Sequence, residues 1–141
     1  MSHYLDTSLL VAAFTNEFRT AEVQEWLEKQ PAKSLAISDW VVTEFSAALS
    51  IKLRTGQLTT AHRAAALAMF ARTSADSFIL LPVLGSHFHR AARIADQHRL
   101  GLRAGDALHL AVASDDGATL CTLDGRMSEG GLSIGIPTLL L

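Results

Sequence analysis

Four acidic residues, Asp6, Glu44, Asp106 and Asp124, occupy positions from which their carboxylates could act together. Asp6 and Asp124 each follow a predicted parallel strand, and ligands of open α/β sheets bind beyond the carboxyl ends of the strands. Four converging carboxylates raise one another's pKa values and need a compensating cation, and an all-oxygen ligand set suits Mg²⁺ or Mn²⁺. Because such an ion lowers the pKa of a bound water and holds phosphate oxygens, the chemistry implied is phosphodiester hydrolysis.

Two of these acids also have a structural interpretation. Asp106 begins a predicted buried helix, where an acid complements the helix dipole by about 0.3–1 kcal/mol. Glu44 has apolar neighbours at helical spacing, among them Trp40, Val41 and Ala48, and no Lys or Arg lies on that row. Burying its carboxylate without a partner would cost several kcal/mol. Glu44 therefore either reaches outward from an edge of its helix or has a partner elsewhere in the fold.

Short apolar segments alternate with helical segments and must position these acids. Strands are predicted at residues 3–5, 35–37, 78–81, 119–123 and 137–141, with helices among others at 9–14, 39–54 and 106–114. The run at 78–81 is apolar throughout, which is typical of a strand buried on both faces. The glycines of segment 125–136 indicate a flexible loop. We expect residues 1–141 to form a single α/β domain with a mainly parallel sheet covered on both faces.

The composition excludes several classes of protein. Hydrophobic residues make up 49% of the 141 residues and charged residues only 18%, so intrinsic disorder is excluded. The lone cysteine, Cys121, excludes a disulfide framework. No apolar run reaches the ~18 residues of a membrane span, and Asp6 interrupts the stretch where the apolar region of a signal peptide would lie. We expect a cytoplasmic protein with no membrane partner.

The net charge of −2 conceals an uneven distribution. Between Lys52 and Arg103 there are eight basic residues and two acidic ones, whereas the rest of the chain has four basic and twelve acidic residues. The basic segment suits an anionic partner such as an RNA backbone, although a solvated helix face has the same composition. The candidates for backbone binding are Arg90, Arg93, Arg99 and Arg103.

Four short motifs give the chain a resemblance to a known family. They are Tyr4-Leu5-Asp6-Thr7-Ser8, Thr43-Glu44-Phe45, the segment from Arg103-Ala104-Gly105-Asp106 to Ala111, and Thr122-Leu123-Asp124. In order and spacing they resemble the motifs of PIN-domain ribonucleases, most closely the VapC toxins of bacterial type II toxin–antitoxin modules.

The resemblance implies a three-layer α/β/α PIN-like fold and an endoribonuclease that depends on Mg²⁺ or Mn²⁺. Asp6, Glu44, Asp106 and Asp124 map onto the acids of the family's metal site. Ser8 and Thr122 map onto hydroxyl residues that support it. The family also implies a homodimer and a VapB-type antitoxin that lies across an apolar groove of the toxin.

Other interpretations depend on a few further residues. His109, three positions after Asp106, either orients that carboxylate or is an ordinary core residue. A haloacid-dehalogenase-like phosphatase requires a second Asp two positions after the first, where Ser8 stands. A response-regulator receiver requires a Lys near the C-terminus, but the last lysine is Lys52. The alternative that stays open is a non-catalytic PIN-like module that acts by binding or assembly.

Overall fold

A five-stranded sheet with helices packed around it forms the frame of the protein. The computed structural model describes residues 2–141. The strands are β1 His3–Leu5, β2 Leu35–Ser38, β3 Ile79–Leu81, β4 Thr119–Thr122 and β5 Thr138–Leu140. The helices are α1 Thr7–Phe14, α2 Thr20–Glu28, α3 Asp39–Arg54, α4 Thr60–Ser77, α5 Gly85–Asp96, α6 Ala104–Asp116 and α7 Gly125–Ser133, with a 3₁₀ turn at His98–Leu100.

All strand pairs of the sheet are parallel, in the order β3-β2-β1-β4-β5. The chain adds β2 and β3 on one side of β1, then returns to add β4 and β5 on the other. The sheet order therefore changes direction between β1 and β4, and a crevice opens beyond the carboxyl ends of strands at such a point. Leu5 pairs with Cys121 at the end of these two strands, so the residues that follow both strands leave the sheet side by side.

The helices pack in two groups, as the α/β/α fold class requires. The first four contact one another around α1, whereas α5 packs on α6, and α6 and α7 contact β4. An aromatic cluster anchors the first group, with the rings of Phe45 and Phe70 4.2 Å apart and Phe14 against both. None of the helices within residues 2–141 is long and apolar enough to cross a membrane.

The expectation that the run at 78–81 is buried on both faces is wrong. The run forms β3 at the edge of the sheet, paired only with β2, and Ile79 and Leu80 are 42% and 56% exposed. A uniformly apolar run does not reveal where its strand lies in the sheet, because strand order is a property of the whole fold.

The expectation of a flexible loop at 125–136 is also wrong for most of that segment. Residues Gly125–Ser133 form α7. Asp124 caps its N-terminus, because the Asp124 carboxylate accepts a hydrogen bond from the backbone N–H of Arg126. Close packing explains one of the glycines. A Cβ on Gly131 would lie 2.5 Å from Thr138 Cγ2 and 2.9 Å from Leu110 Cδ2, so only glycine lets this helix approach so closely.

Candidate active site

Asp6 is held by hydroxyl groups directly after β1. It caps α1, and its Oδ1 accepts hydrogen bonds from the Ser8 hydroxyl at 2.6 Å and from the Leu9 backbone N–H at 3.3 Å. Its Oδ2 accepts one from Thr122 Oγ1 at 2.6 Å. Burial raises the pKa of Asp6, and the Ser8 and Thr122 hydrogen bonds offset part of this rise. Ser8 and Thr122, predicted to support the site, thus contact the carboxylate that they were expected to support.

Glu44 has the partner that its apolar surroundings required. Its Oε1 accepts hydrogen bonds from Thr7 Oγ1 at 2.6 Å and from Nε2 of His109. Burial opposes ionisation of Glu44, but the His109 interaction and the Thr7 hydrogen bond outweigh it, so the pKa of Glu44 is lowered. Its Oε2 lies beside Gly105, where an added Cβ would come within 2.7 Å of it. Thr7 and His109 therefore hold an ionised Glu44 carboxylate in a defined position.

His109, considered either to orient Asp106 or to be an ordinary core residue, is buried and forms a hydrogen bond with Glu44. Its Nδ1 is 2.7 Å from the Tyr4 hydroxyl, which is itself 2.7 Å from Ser38 Oγ. With a neutral imidazole, Ser38 donates to Tyr4, Tyr4 donates to His109, and His109 donates to Glu44, which satisfies every polar group in this buried chain. The sequence contains no signal for it, since Tyr4 and His109 are 105 positions apart.

Asp106 and Asp124 line one open cavity of about 380 Å³, together with Gly101, Arg103 and Arg126. Asp106 Oδ2 accepts a hydrogen bond from the Arg103 backbone N–H at 3.2 Å. The pKa of Asp106 is raised, chiefly by burial and further by the negative charges of Asp124 and Glu44. These three carboxylates therefore lie close enough to repel one another.

Thr122 connects Asp6 to Asp124. Its hydroxyl donates to Asp6 Oδ2 and accepts a hydrogen bond of 2.9 Å from the Asp124 backbone N–H. Ser8 adds a second link, because its Oγ accepts the backbone N–H of Leu123 at 3.1 Å. The four predicted acids thus lie in one neighbourhood. Hydrogen bonds through Thr122 connect Asp6 to the backbone of Asp124, and electrostatic repulsion acts on Asp106 from Asp124 and Glu44.

The donor set of this neighbourhood fits a hard divalent cation. Within residues 2–141, no group of three or more His, Cys, Asp or Glu side chains is arranged so that it could hold a metal ion. The four acids nevertheless supply only oxygen donors, which is the set that Mg²⁺ and Mn²⁺ prefer. No arginine or lysine side chain among the described residues forms an ion pair with any of the four, so their charges are left for a cation to balance.

The predicted basic residues do not all reach this cavity. Arg103 lines it, whereas Arg99 lines a neighbouring surface depression with Leu100 and Ile134. Arg90 and Arg93 lie on α5, the first half-buried and the second exposed. Sequence reasoning missed Arg126, which lines the cavity beside Asp124. Its position only two residues after Asp124 was a usable signal.

Comparison with known proteins identifies the family of this chain. The family model for the PIN domain matches residues 3–131. The chain belongs to the PIN domain family. The PIN domain match contains all four acids, and the parallel sheet with helices on both faces agrees with it. No curated protein sequence gives a significant match.

Solved structures share this PIN fold over nearly their whole length. VapC20 of Mycobacterium tuberculosis, a toxin that cleaves the sarcin–ricin loop, gives a TM-score of 0.75 at 19% identity, covering 99% of this chain and 100% of that one. FitAcB of Neisseria gonorrhoeae gives 0.71 at 17% identity, covering 97% and 96%. VapBC2 of Rickettsia felis, bound to a DNA fragment from its promoter, gives 0.68 at 18% identity, covering 100% and 99%. At these identities the likeness establishes the shared fold.

Proposed function

We propose that this PIN-domain protein is a metal-dependent endoribonuclease that hydrolyses RNA phosphodiester bonds, and that it is the toxin of a VapBC-type toxin–antitoxin module. The observation that carries the proposal is the cavity lined by Asp124, which follows β4, and by Asp106, in the first turn of α6. There Asp106 and Asp124 form no ion pair with any Lys or Arg that the structure describes, and Asp6 and Glu44 are connected to them. The fold shared with an RNA-cleaving toxin supports it.

In this proposal Asp6, Glu44, Asp106 and Asp124 hold Mg²⁺ or Mn²⁺. When bound, such an ion activates water and stabilises negative charge on phosphate oxygens. Ser8 and Thr122 keep both oxygens of Asp6 oriented. Thr7 and His109 act together on Oε1 of Glu44, which leaves Oε2 as the less constrained oxygen.

The substrate would be held by its phosphate backbone. Arg103 lines the cavity and is the strongest of the predicted backbone-binding residues. Arg99, in a separate surface depression, and Arg90 and Arg93, on α5, are further candidates. Removing a backbone contact weakens RNA binding across sequences and flattens its salt dependence. Unchanged salt dependence in a variant of any of these arginines would remove that residue from the proposed interface.

The proposed partners are a VapB-type antitoxin and a second copy of the chain, acting in the cytoplasm where the RNA substrate lies. A partly apolar groove supports a protein partner, since Phe14, Leu58 and the half-exposed Met69 line it together with polar residues such as Lys52 and His62. Structural relatives occur as toxin–antitoxin complexes. Co-purification with the product of an adjacent reading frame tests the antitoxin, and light scattering of the purified chain tests the homodimer.

The central test is cleavage of a structured RNA by the purified chain. We expect cleavage with Mg²⁺ or Mn²⁺, none with EDTA, and none with Asp6→Ala. The matched control is Asp76→Asn, which removes an exposed carboxylate on α4 and should cleave like wild type. Cleavage that survives EDTA or Asp6→Ala would refute the mechanism. Absence of cleavage by antitoxin-free protein would favour the non-catalytic binding module.

A further inference from the structure

Two guanidinium groups in the acidic cavity form no ion pair with any residue of the segment 2–141. Arg103 and Arg126 line the same cavity as Asp106 and Asp124. Among residues 2–141, however, neither guanidinium forms an ion pair, and only the backbone N–H groups of these arginines bond to the two acids. The cavity thus places two carboxylates beside two guanidinium groups. A metal ion would complement the carboxylates, and a phosphate would complement the guanidinium groups.

The Arg126 side chain lies along the backbone of Gly101. A Cβ added to Gly101 would be 3.4 Å from Cδ, 3.7 Å from Nε and 3.8 Å from one terminal nitrogen of Arg126. Gly101 has a φ of +65°, a conformation that favours glycine over residues with a side chain. No side chain at position 101 therefore separates Arg126 from the backbone. The Arg126 side chain therefore lies against the backbone of Gly101, and both residues line the cavity.

Local stability gives no reason for arginine at these two positions. Arg126 is the second residue of α7, and Arg103 directly precedes α6. Cations are unfavourable at a helix N-terminus, because the helix dipole is positive there. Both arginines are exposed. A ligand with negative charge would compensate for this arrangement.

We propose that Arg126 is a substrate-positioning residue, which binds, together with Arg103, a phosphate group of the RNA that enters this cavity. The inference rests on the proposed nuclease function and adds a residue to it. A guanidinium donates two parallel hydrogen bonds to phosphate oxygens, so this pair fixes the position of the RNA backbone relative to the four acids. Because the contact is made before and during the reaction, it acts on substrate binding more than on the chemical step.

Binding is measured without cleavage, by fluorescence anisotropy of a labelled single-stranded RNA in EDTA at several salt concentrations. Arg126→Gln should weaken binding about tenfold at low salt and reduce the slope of log K against log salt by about 0.7, the value for one phosphate contact to a single strand. Arg126→Lys should restore the slope but not the full affinity, because lysine lacks the planar fork. The control is Arg54→Gln, an exposed arginine ten residues and so about 15 Å along α3 from Glu44.

A second readout separates positioning from a merely structural role. With Mg²⁺ or Mn²⁺, Arg126→Gln should raise KM about tenfold and leave kcat within about threefold, with an unchanged melting temperature. Equal salt slopes for Arg126→Gln, Arg54→Gln and wild type would overturn the inference and leave the nuclease proposal in place. A reduced slope without cleavage in any metal would support Arg126 as a phosphate-binding residue and refute the nuclease. Failure of wild type to bind RNA would refute both.

Discussion

Replacing Gly105 with alanine tests whether the position of Glu44 controls activity. Gly105 lies in the first turn of α6, next to Asp106, and faces the carboxylate of Glu44 on α3. An added Cβ would lie 2.7 Å from Glu44 Oε2 and 3.3 Å from Trp40 Nε1. Gly105 does not have a positive φ, so the substitution strains no backbone torsion and its effect comes from these contacts.

The contact distances set the size of the expected effect. Ordinary contact begins at 3.4 Å, so Oε2 and the new methyl group must separate by at least about 0.7 Å. Glu44 cannot rotate freely away, because Thr7 and His109 hold Oε1. A displacement of this size at a reacting centre costs about 10- to 100-fold in rate. Alanine gains up to about 1 kcal/mol of helix propensity over glycine, which offsets strain in stability but not in activity.

The assay compares metal-dependent RNA cleavage, metal affinity by calorimetry and the free energy of unfolding in urea. Gly105→Ala should lose about 10- to 100-fold in kcat/KM while its free energy of unfolding stays within about 1 kcal/mol of wild type. The matched control is Gly85→Ala at the first residue of α5, where nothing lies within 4 Å of the added Cβ. That control should cleave and bind metal like wild type.

One result would refute the reasoning directly. If Gly105→Ala cleaves RNA and binds metal as wild type does, then either Glu44 relaxes without consequence or its carboxylate has no part in the site. Restoring activity to Gly105→Ala by Glu44→Asp, whose shorter side chain withdraws from the methyl group, would instead support the steric explanation.

Two further predictions concern the buried groups behind the site. Asp6→Asn should abolish cleavage. Its free energy of unfolding in EDTA at pH 7 should nevertheless be no lower than that of wild type. Burial raises the pKa of Asp6, so the ionised carboxylate opposes folding above that pKa. This advantage of the variant should shrink as pH falls toward the ordinary Asp range, and a variant less stable than wild type at pH 7 would contradict it. Tyr4→Phe should lower the free energy of unfolding in urea by about 1–3 kcal/mol, because the Ser38 hydroxyl and His109 Nδ1 lose a buried partner. A loss below about 0.5 kcal/mol would show that these groups find another partner.

Much of the fold could be predicted from the sequence, because its signals are local. The apolar run before Asp6 and the long amphipathic segment after Ser38 correspond to β1 and α3. The predicted strand at 119–123 likewise appears as β4. Strand and helix periodicity depend on residues only a few positions apart, so the sequence alone is enough to predict these elements. The parallel sheet followed from this alternation.

The parts that could not be predicted depend on the order of the strands and on packing across it. A uniformly apolar run became the exposed edge strand β3, and a glycine-rich segment became α7, because Asp124 caps it and Gly131 packs against Thr138. The first outcome was decided by the place of β3 in the sheet, and the second by a side-chain cap and by close packing that the glycine content of the segment does not reveal.

For the site itself, the sequence alone predicted which residues form it and in what order, since Asp6 and Asp124 after strands, Asp106 at a helix start and Glu44 on an apolar helix row are visible in the chain. Only the tertiary structure decided what surrounds them. It brought His109 to Glu44 across 65 positions and Thr122 to Asp6 across 116, and it laid Arg126 along Gly101. The physical reason is that hydrogen-bond partners and charge neighbours are set by three-dimensional distance. That distance follows from the change of direction in strand order between β1 and β4.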